Sequence, residues 1–132
     1  MSIRRRIDPA AGHEALVAWV QARRTGAAPA PRTTLATAVR FTLEELAARN
    51  EGNSVEVRIP PFGVTHCIAG PRHTRGTPPN VVEADPEAWL EVAVGETDFA
   101  AALAAGRMSA SGTRADLTAV TPLFDAAELF PS

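Results

Sequence analysis

Hydrophobic residues near the start of the chain recur at the spacing of a helix. Trp19 and Val20 lie three and four positions after Leu16, so the three side chains share one helical face. Asp8-Pro9 precedes this segment, and an N-cap aspartate followed by proline signals a helix start. The pattern predicts a helix over about residues 9–24 and, after it, an Ala- and Pro-rich linker over residues 25–32.

A second and longer helix follows the linker. It begins at Thr33 or Thr34 and runs to about residue 50, and its apolar stripe contains Leu35, Val39, Leu43 (or Thr42) and Leu46. On its other side, oppositely charged residues stand four positions apart: Arg40 with Glu44, and Glu45 with Arg49. Such spacing favours ion pairs along a helix, so the sequence predicts two of them here.

After residue 53 the period of the pattern changes from helical to alternating. Val55, Val57 and Ile59 alternate with polar residues, which predicts a half-buried strand. Three further strands are predicted, at residues 62–69, at residues 80–84, and at Met108 with Ala110.

Two short helices are predicted between the third and fourth strands. Asp85-Pro86 repeats the signal of an N-cap followed by proline, ahead of a helix over residues 86–94. Thr97 is the predicted N-cap of the next helix, which directs Phe99 and Leu103 inward and ends at Gly106.

A last helix is predicted after the fourth strand. Thr113 and Asp116 resemble a capping box, and Leu117, Val120 and Phe124 then share a helical face. Pro122 should force a kink or a restart in this helix. The order is therefore two helices, three strands, two helices, one strand and one helix. That order predicts an α+β fold with a mainly antiparallel sheet of four or five strands, covered by helices on one face.

Composition and charge narrow the class of protein. The chain has 132 residues, and 45% of them are hydrophobic. A chain of this size can bury enough surface to fold without a metal ion or a disulfide. We therefore predict a single domain over residues 1–132, with its core at residues 33–124. A net charge of −2 argues against nucleic-acid binding. The single cysteine, Cys67, cannot form an intramolecular disulfide. No apolar run reaches the roughly 20 residues that a membrane-spanning helix needs. We expect a cytoplasmic protein without stable membrane insertion, cofactor or metal.

Two stretches resemble a known family. The segment GRMSASGTRADL (residues 106–117) resembles the closing strand and following helix of sterol carrier domains, and the two short helices before it fit that family's order. The run GPRHTRGTPPNVVE (residues 70–83) is similar to a signature of stand-alone bacterial sterol-carrier-like proteins. The resemblance covers roughly residues 33–124.

This resemblance implies a curved sheet under helices, with an apolar tunnel that takes a sterol, a fatty acyl chain or another lipid. Bulky apolar residues on several elements are the candidates for lining it, although the same residues could simply fill a small core. The candidate lipid-binding residues are Leu35, Val39, Phe41, Leu43, Trp89, Phe99, Leu103, Met108, Leu117, Val120 and Phe124.

Two rival functions remain open at this point. An apolar groove could instead dock a partner protein or a second copy of the chain as a homodimer. The domain is also similar to one found behind the metal-binding bundle of thiol-dependent maleylpyruvate isomerases, which would make it an enzyme subunit. The bundle that carries the metal ligands in those enzymes has no counterpart in this sequence, so we expect no catalytic activity from the chain itself.

The polar residues give one binding candidate and exclude a metal site. Arg72, His73 and Arg75 cluster in the Pro-rich loop and could hold an anionic headgroup, or could pair with nearby carboxylates at the surface. His66 and Cys67 are adjacent on a strand and point to opposite faces, so they cannot share a metal ion. The sequence predicts a buried, inert thiol.

Overall fold

The computed structural model describes residues 5–26, 28–70 and 80–129. These ranges contain five helices and four strands. In chain order they are α1 (Pro9–Thr25), α2 (Arg32–Arg49), β1 (Val55–Ile59), β2 (Gly63–Cys67), β3 (Val81–Ala84), α3 (Pro86–Ala93), α4 (Phe99–Ala104), β4 (Met108–Ser111) and α5 (Ala126–Leu129). The predicted order of elements is found as far as β4.

Aspartate side chains cap the N-termini of three of the helices. The carboxylates of Asp8 and Asp85 accept hydrogen bonds from Ala11 N and Ala88 N, so both predicted N-caps are confirmed. The prediction for α4 is wrong by one residue, because Asp98 rather than Thr97 accepts the hydrogen bond from Ala101 N. Helix α2 begins before the predicted threonines, at Arg32, without a side-chain cap.

The predicted helix with Leu117, Val120 and Phe124 on one face is absent. Residues 112–125 form turns, and the helix that follows, α5, is only four residues long. The backbone N–H groups of Leu123 and Phe124 donate to the Ala93 carbonyl at the end of α3, at 2.8 and 3.0 Å. In a helix these two N–H groups would donate to carbonyls of the preceding turn. Because they donate to Ala93 instead, the apolar spacing of this segment does not lead to a helix.

The four strands form one mixed sheet in the order β2-β1-β3-β4. Strand β1 is antiparallel to β2 and parallel to β3, and β3 is antiparallel to β4. Val57 stands opposite both Thr65 and Val82, which fixes the register across the first three strands. Two of the three pairings are antiparallel, as the fold prediction required for most of the sheet.

The two faces of the sheet differ in burial. Val55, Val57 and Ile59 lie on the inner face and are fully buried. Glu56 and Arg58 alternate with them on the outer face and form an ion pair there. The helices therefore cover one face of the sheet, as the alternation in β1 predicts.

Helix α1 packs closely on α2. Leu16, Trp19 and Val20 are buried in the same hydrophobic cluster as the residues of α2. At Gly12 the two helices approach so closely that an added Cβ atom would overlap the ring of Phe41. A residue without a side chain is therefore required at this crossing.

We predict that Gly12→Ala destabilises the protein even though alanine is the better helix former. Overpacking costs about 1–3 kcal/mol, whereas the gain in helix propensity is about 1 kcal/mol. Thermal and urea unfolding of both proteins measures the difference. Ala18→Gly, on the exposed side of α1, is the control for propensity alone. A Gly12→Ala protein that unfolds at a higher temperature than the wild type would show that the crossing is not tight.

Candidate functional site

The eleven predicted lipid-binding residues all belong to one hydrophobic cluster or pack against it. Seven of them are buried: Val39, Phe41, Leu43, Trp89, Phe99, Met108 and Leu117. Four are partly buried at its margin: Leu35, Leu103, Val120 and Phe124. The fold thus brings the set together, mainly as interior packing between the helices and the inner face of the sheet.

One buried polar contact crosses this interior. The indole N–H of Trp89 on α3 donates to the Thr42 hydroxyl oxygen on α2 at 2.8 Å. The same hydroxyl donates to the Ala38 carbonyl at 2.8 Å, so both polar side chains have partners inside an apolar environment. This contact fixes α3 relative to α2.

A surface groove of about 570 Å³ opens between α2 and β2, at the edge of the sheet. Small-molecule sites typically measure about 300–1,000 Å³, so its volume suits a ligand. Leu43, Ala47 and Phe62 are buried apolar residues in its lining, and the exposed Arg6 and Arg40 also line it. We refer to it as the α2–β2 groove. It lies where the helical layer meets the sheet edge.

Gly63 accounts for part of the space in the α2–β2 groove. It is the first residue of β2, and a Cβ atom there would lie 3.3 Å from Leu43 Cδ1 on α2. Any larger residue would extend a side chain into the gap between the strand and the helix. A glycine inside a strand pattern often marks such a close approach of two elements. Gly63 was therefore the residue in the sequence that could have indicated this site.

Charged residues at the α2–β2 groove do not pair as the sequence predicts. The Glu44 carboxylate accepts hydrogen bonds from the backbone N–H groups of Arg6 at 2.9 Å and Ile7 at 3.2 Å. Arg40 Nε donates to the Phe62 carbonyl at 3.0 Å. In the part of the chain that the structure describes, Arg40 and Glu44 form no ion pair, so that prediction is wrong. The second predicted pair, Glu45 with Arg49, is confirmed at 3.1 Å.

A family model described as a bacterial ortholog of SCP, the sterol carrier protein, matches residues 31–123. The chain belongs to this bacterial SCP family. The resemblance noted in the sequence is therefore confirmed. No curated protein matches the chain.

The SCP region includes α2, all four strands and both sides of the α2–β2 groove formed by them. Helix α1 and α5 lie outside the matched residues. Ile7, which also lines the groove, precedes α1 and was not singled out by the sequence pattern. The sequence offered no signal for it, because a single apolar residue in an irregular segment has no periodicity.

Arg72, His73 and Arg75 lie outside the described residues. Their role as a headgroup site therefore remains a prediction. Within the described ranges, no group of three or more His, Cys, Asp or Glu residues could hold a metal ion. Over the same residues, no helix is long and apolar enough to cross a membrane.

His66 and Cys67 point to opposite faces of β2. Cys67 is buried on the inner face, and His66 Nε2 lies 3.0 Å from Glu56 Oε1 on the outer face. Partial burial would raise the pKa of Glu56, but Arg58 and then His66 outweigh it and lower the pKa overall. The separation of His66 and Cys67 removes the geometry that a shared metal ion would need.

We predict that the Cys67 thiol is unreactive in the folded protein. Desolvation raises its pKa to about 11, so almost no thiolate exists near neutral pH. A thiol-specific chromogenic reagent should react with Cys67 only after the protein is unfolded in urea.

Ser109→Cys gives the matched control, because residue 109 is an exposed position on β4. The variant should show one fast and one slow thiol. Fast modification of Cys67 in the native wild type would contradict the prediction.

Proposed function

We propose that the chain is a non-enzymatic binding protein for a lipid-like apolar ligand, such as a sterol or a fatty acyl chain. The observation that carries this proposal is the α2–β2 groove, in which Leu43 and Phe62 offer apolar surface between a helix and the sheet edge. Membership of the bacterial SCP family supports it. The ligand would lie with its apolar part against these two residues.

A carrier site of this kind would need to bury about 400 Å² of apolar ligand surface. At about 25 cal/mol per Å² that burial gives about 10 kcal/mol, and association costs at least about 4 kcal/mol. The remainder is at most about 6 kcal/mol, which corresponds to a Kd on the order of tens of micromolar or weaker.

Leu43 is the member of the predicted lipid-binding set that lines this groove. The neighbouring members of the set on α2, Val39 and Phe41, are buried and would not touch the ligand. We propose that the set as a whole provides the packed apolar layer on which the site rests. Arg72, His73 and Arg75 stay a separate headgroup prediction.

We predict that Gly63→Val weakens ligand binding while the fold is kept. Valine is favoured in strands, and its side chain would enter the space next to Leu43 Cδ1. Delipidated wild-type protein should take up one acyl chain or sterol saturably in a fluorescence titration, and native mass spectrometry should show the complex. The variant should bind about tenfold more weakly, a loss of about 1.4 kcal/mol.

Ser109→Val is the matched control, because it places the same side chain at an exposed strand position away from the groove. It should bind as the wild type does. Circular dichroism and thermal unfolding check that both variants are folded. Absence of saturable uptake by the wild type would contradict the proposed function, and unchanged binding by folded Gly63→Val would contradict the location of the site.

A further inference from the structure

The α2–β2 groove combines an apolar lining with an excess of positive charge. Its charged lining residues are Arg6, Arg40 and Glu44, and His66 is the remaining titratable group. Two arginines and one glutamate give the lining a formal charge of +1. An amphiphile with a negatively charged end would match this arrangement better than a neutral one.

Glu44 is already engaged by the protein backbone. One carboxylate oxygen accepts from Arg6 N and the other accepts from Ile7 N. These hydrogen bonds hold the segment before α1 against α2. The only carboxylate that lines the groove is thus occupied by main-chain donors, and it forms no ion pair with Arg40 within the ranges the structure describes.

Arg40 is held in place without its charge being neutralised. Its Nε donates to the Phe62 carbonyl at 3.0 Å, which ties the guanidinium to the turn between β1 and β2. A guanidinium has five N–H donors in a planar fork, so one such bond leaves its terminal Nη groups able to grip a carboxylate. For the described residues, no carboxylate lies within ion-pair distance of Arg40.

The α2–β2 groove is large enough for one acyl chain. A water molecule takes about 30 Å³ in the liquid, and a methylene group is of similar size. A space of about 570 Å³ therefore holds on the order of 15–20 such groups. An acyl chain of about 16 carbons fits this volume.

We propose that the α2–β2 groove takes a single acyl chain that ends in a carboxylate, and that Arg40 binds the carboxylate. The acyl chain lies against Leu43 and Phe62, and the guanidinium selects the acid over an uncharged chain of the same length. This inference rests on the proposed function, because it names the polar end of the same ligand.

The test compares two ligands that differ only at that end, palmitate and hexadecanol, each titrated into delipidated protein below its aggregation concentration. The wild type should bind palmitate about tenfold more tightly than hexadecanol, as expected for a hydrogen bond to a charged group. Arg40→Gln should bind both ligands with the affinity that the wild type has for hexadecanol. Glutamine keeps part of the stem and a donor for the Phe62 carbonyl, so the fold should persist.

Arg58→Ala is the matched control, since it removes one exposed arginine from the outer face of the sheet. It should keep the preference for palmitate. The double change Arg72→Ala with Arg75→Ala tests the loop as the rival headgroup site and should also keep it.

Four results would overturn the inference. Equal affinity of the wild type for palmitate and hexadecanol, or a preference that survives in Arg40→Gln, would leave the proposed function standing and reject the role of Arg40. Loss of the preference only in the loop variant would move the headgroup to the loop. No saturable binding of either ligand to the wild type would contradict the proposed function and this inference together.

Discussion

Helix α2 packs against α1 on one side and lies over the sheet on the other, so it must bury residues on both sides at once. Eight of its 18 residues are buried, among them Phe41 toward Gly12 of α1. Thr42 accepts the Trp89 hydrogen bond from α3, which joins a third element to the same helix. Because the position of α2 is fixed from several directions, the distance between α2 and β2 is also fixed. The α2–β2 groove is the space that this arrangement leaves at the sheet edge.

The groove depends on two features that work together. Gly63 has no side chain to fill the space on the β2 side, and Leu43 and Phe62 contribute apolar surface to the lining. The sheet ends there because β2 is an edge strand, so no further strand covers the opening within the described residues. A ligand site at this place needs no rearrangement of the buried cluster, whose members pack against one another.

Electrostatics at the groove follow from the segment before α1. That segment brings the backbone N–H groups of Arg6 and Ile7 to the Glu44 carboxylate. Glu44 lies four positions after Arg40, which is the spacing of a helical ion pair, but its carboxylate binds these N–H groups instead. The segment and α1 lie outside the residues that define the SCP family match, and α1 adds Leu16 and Trp19 to the core. The same extension therefore enlarges the core and alters the charge balance at the groove. On the opposite face of the sheet, Glu56 is engaged by Arg58 and His66.

Elements with local signals could be predicted from the amino-acid sequence. Alternation placed β1, the aspartate caps placed the starts of α1 and α3, and the opposite directions of His66 and Cys67 followed from the strand period. The distant partners of local groups depend on tertiary packing and could not be predicted in this way. Leu123 and Phe124 donate to the end of α3 instead of forming a helix, and Glu44 binds the segment before α1 instead of Arg40. Periodicity records which side of an element is apolar. It carries no information about which distant backbone groups compete for a donor or a carboxylate, or about the distance between α2 and β2 that leaves the groove at the sheet edge.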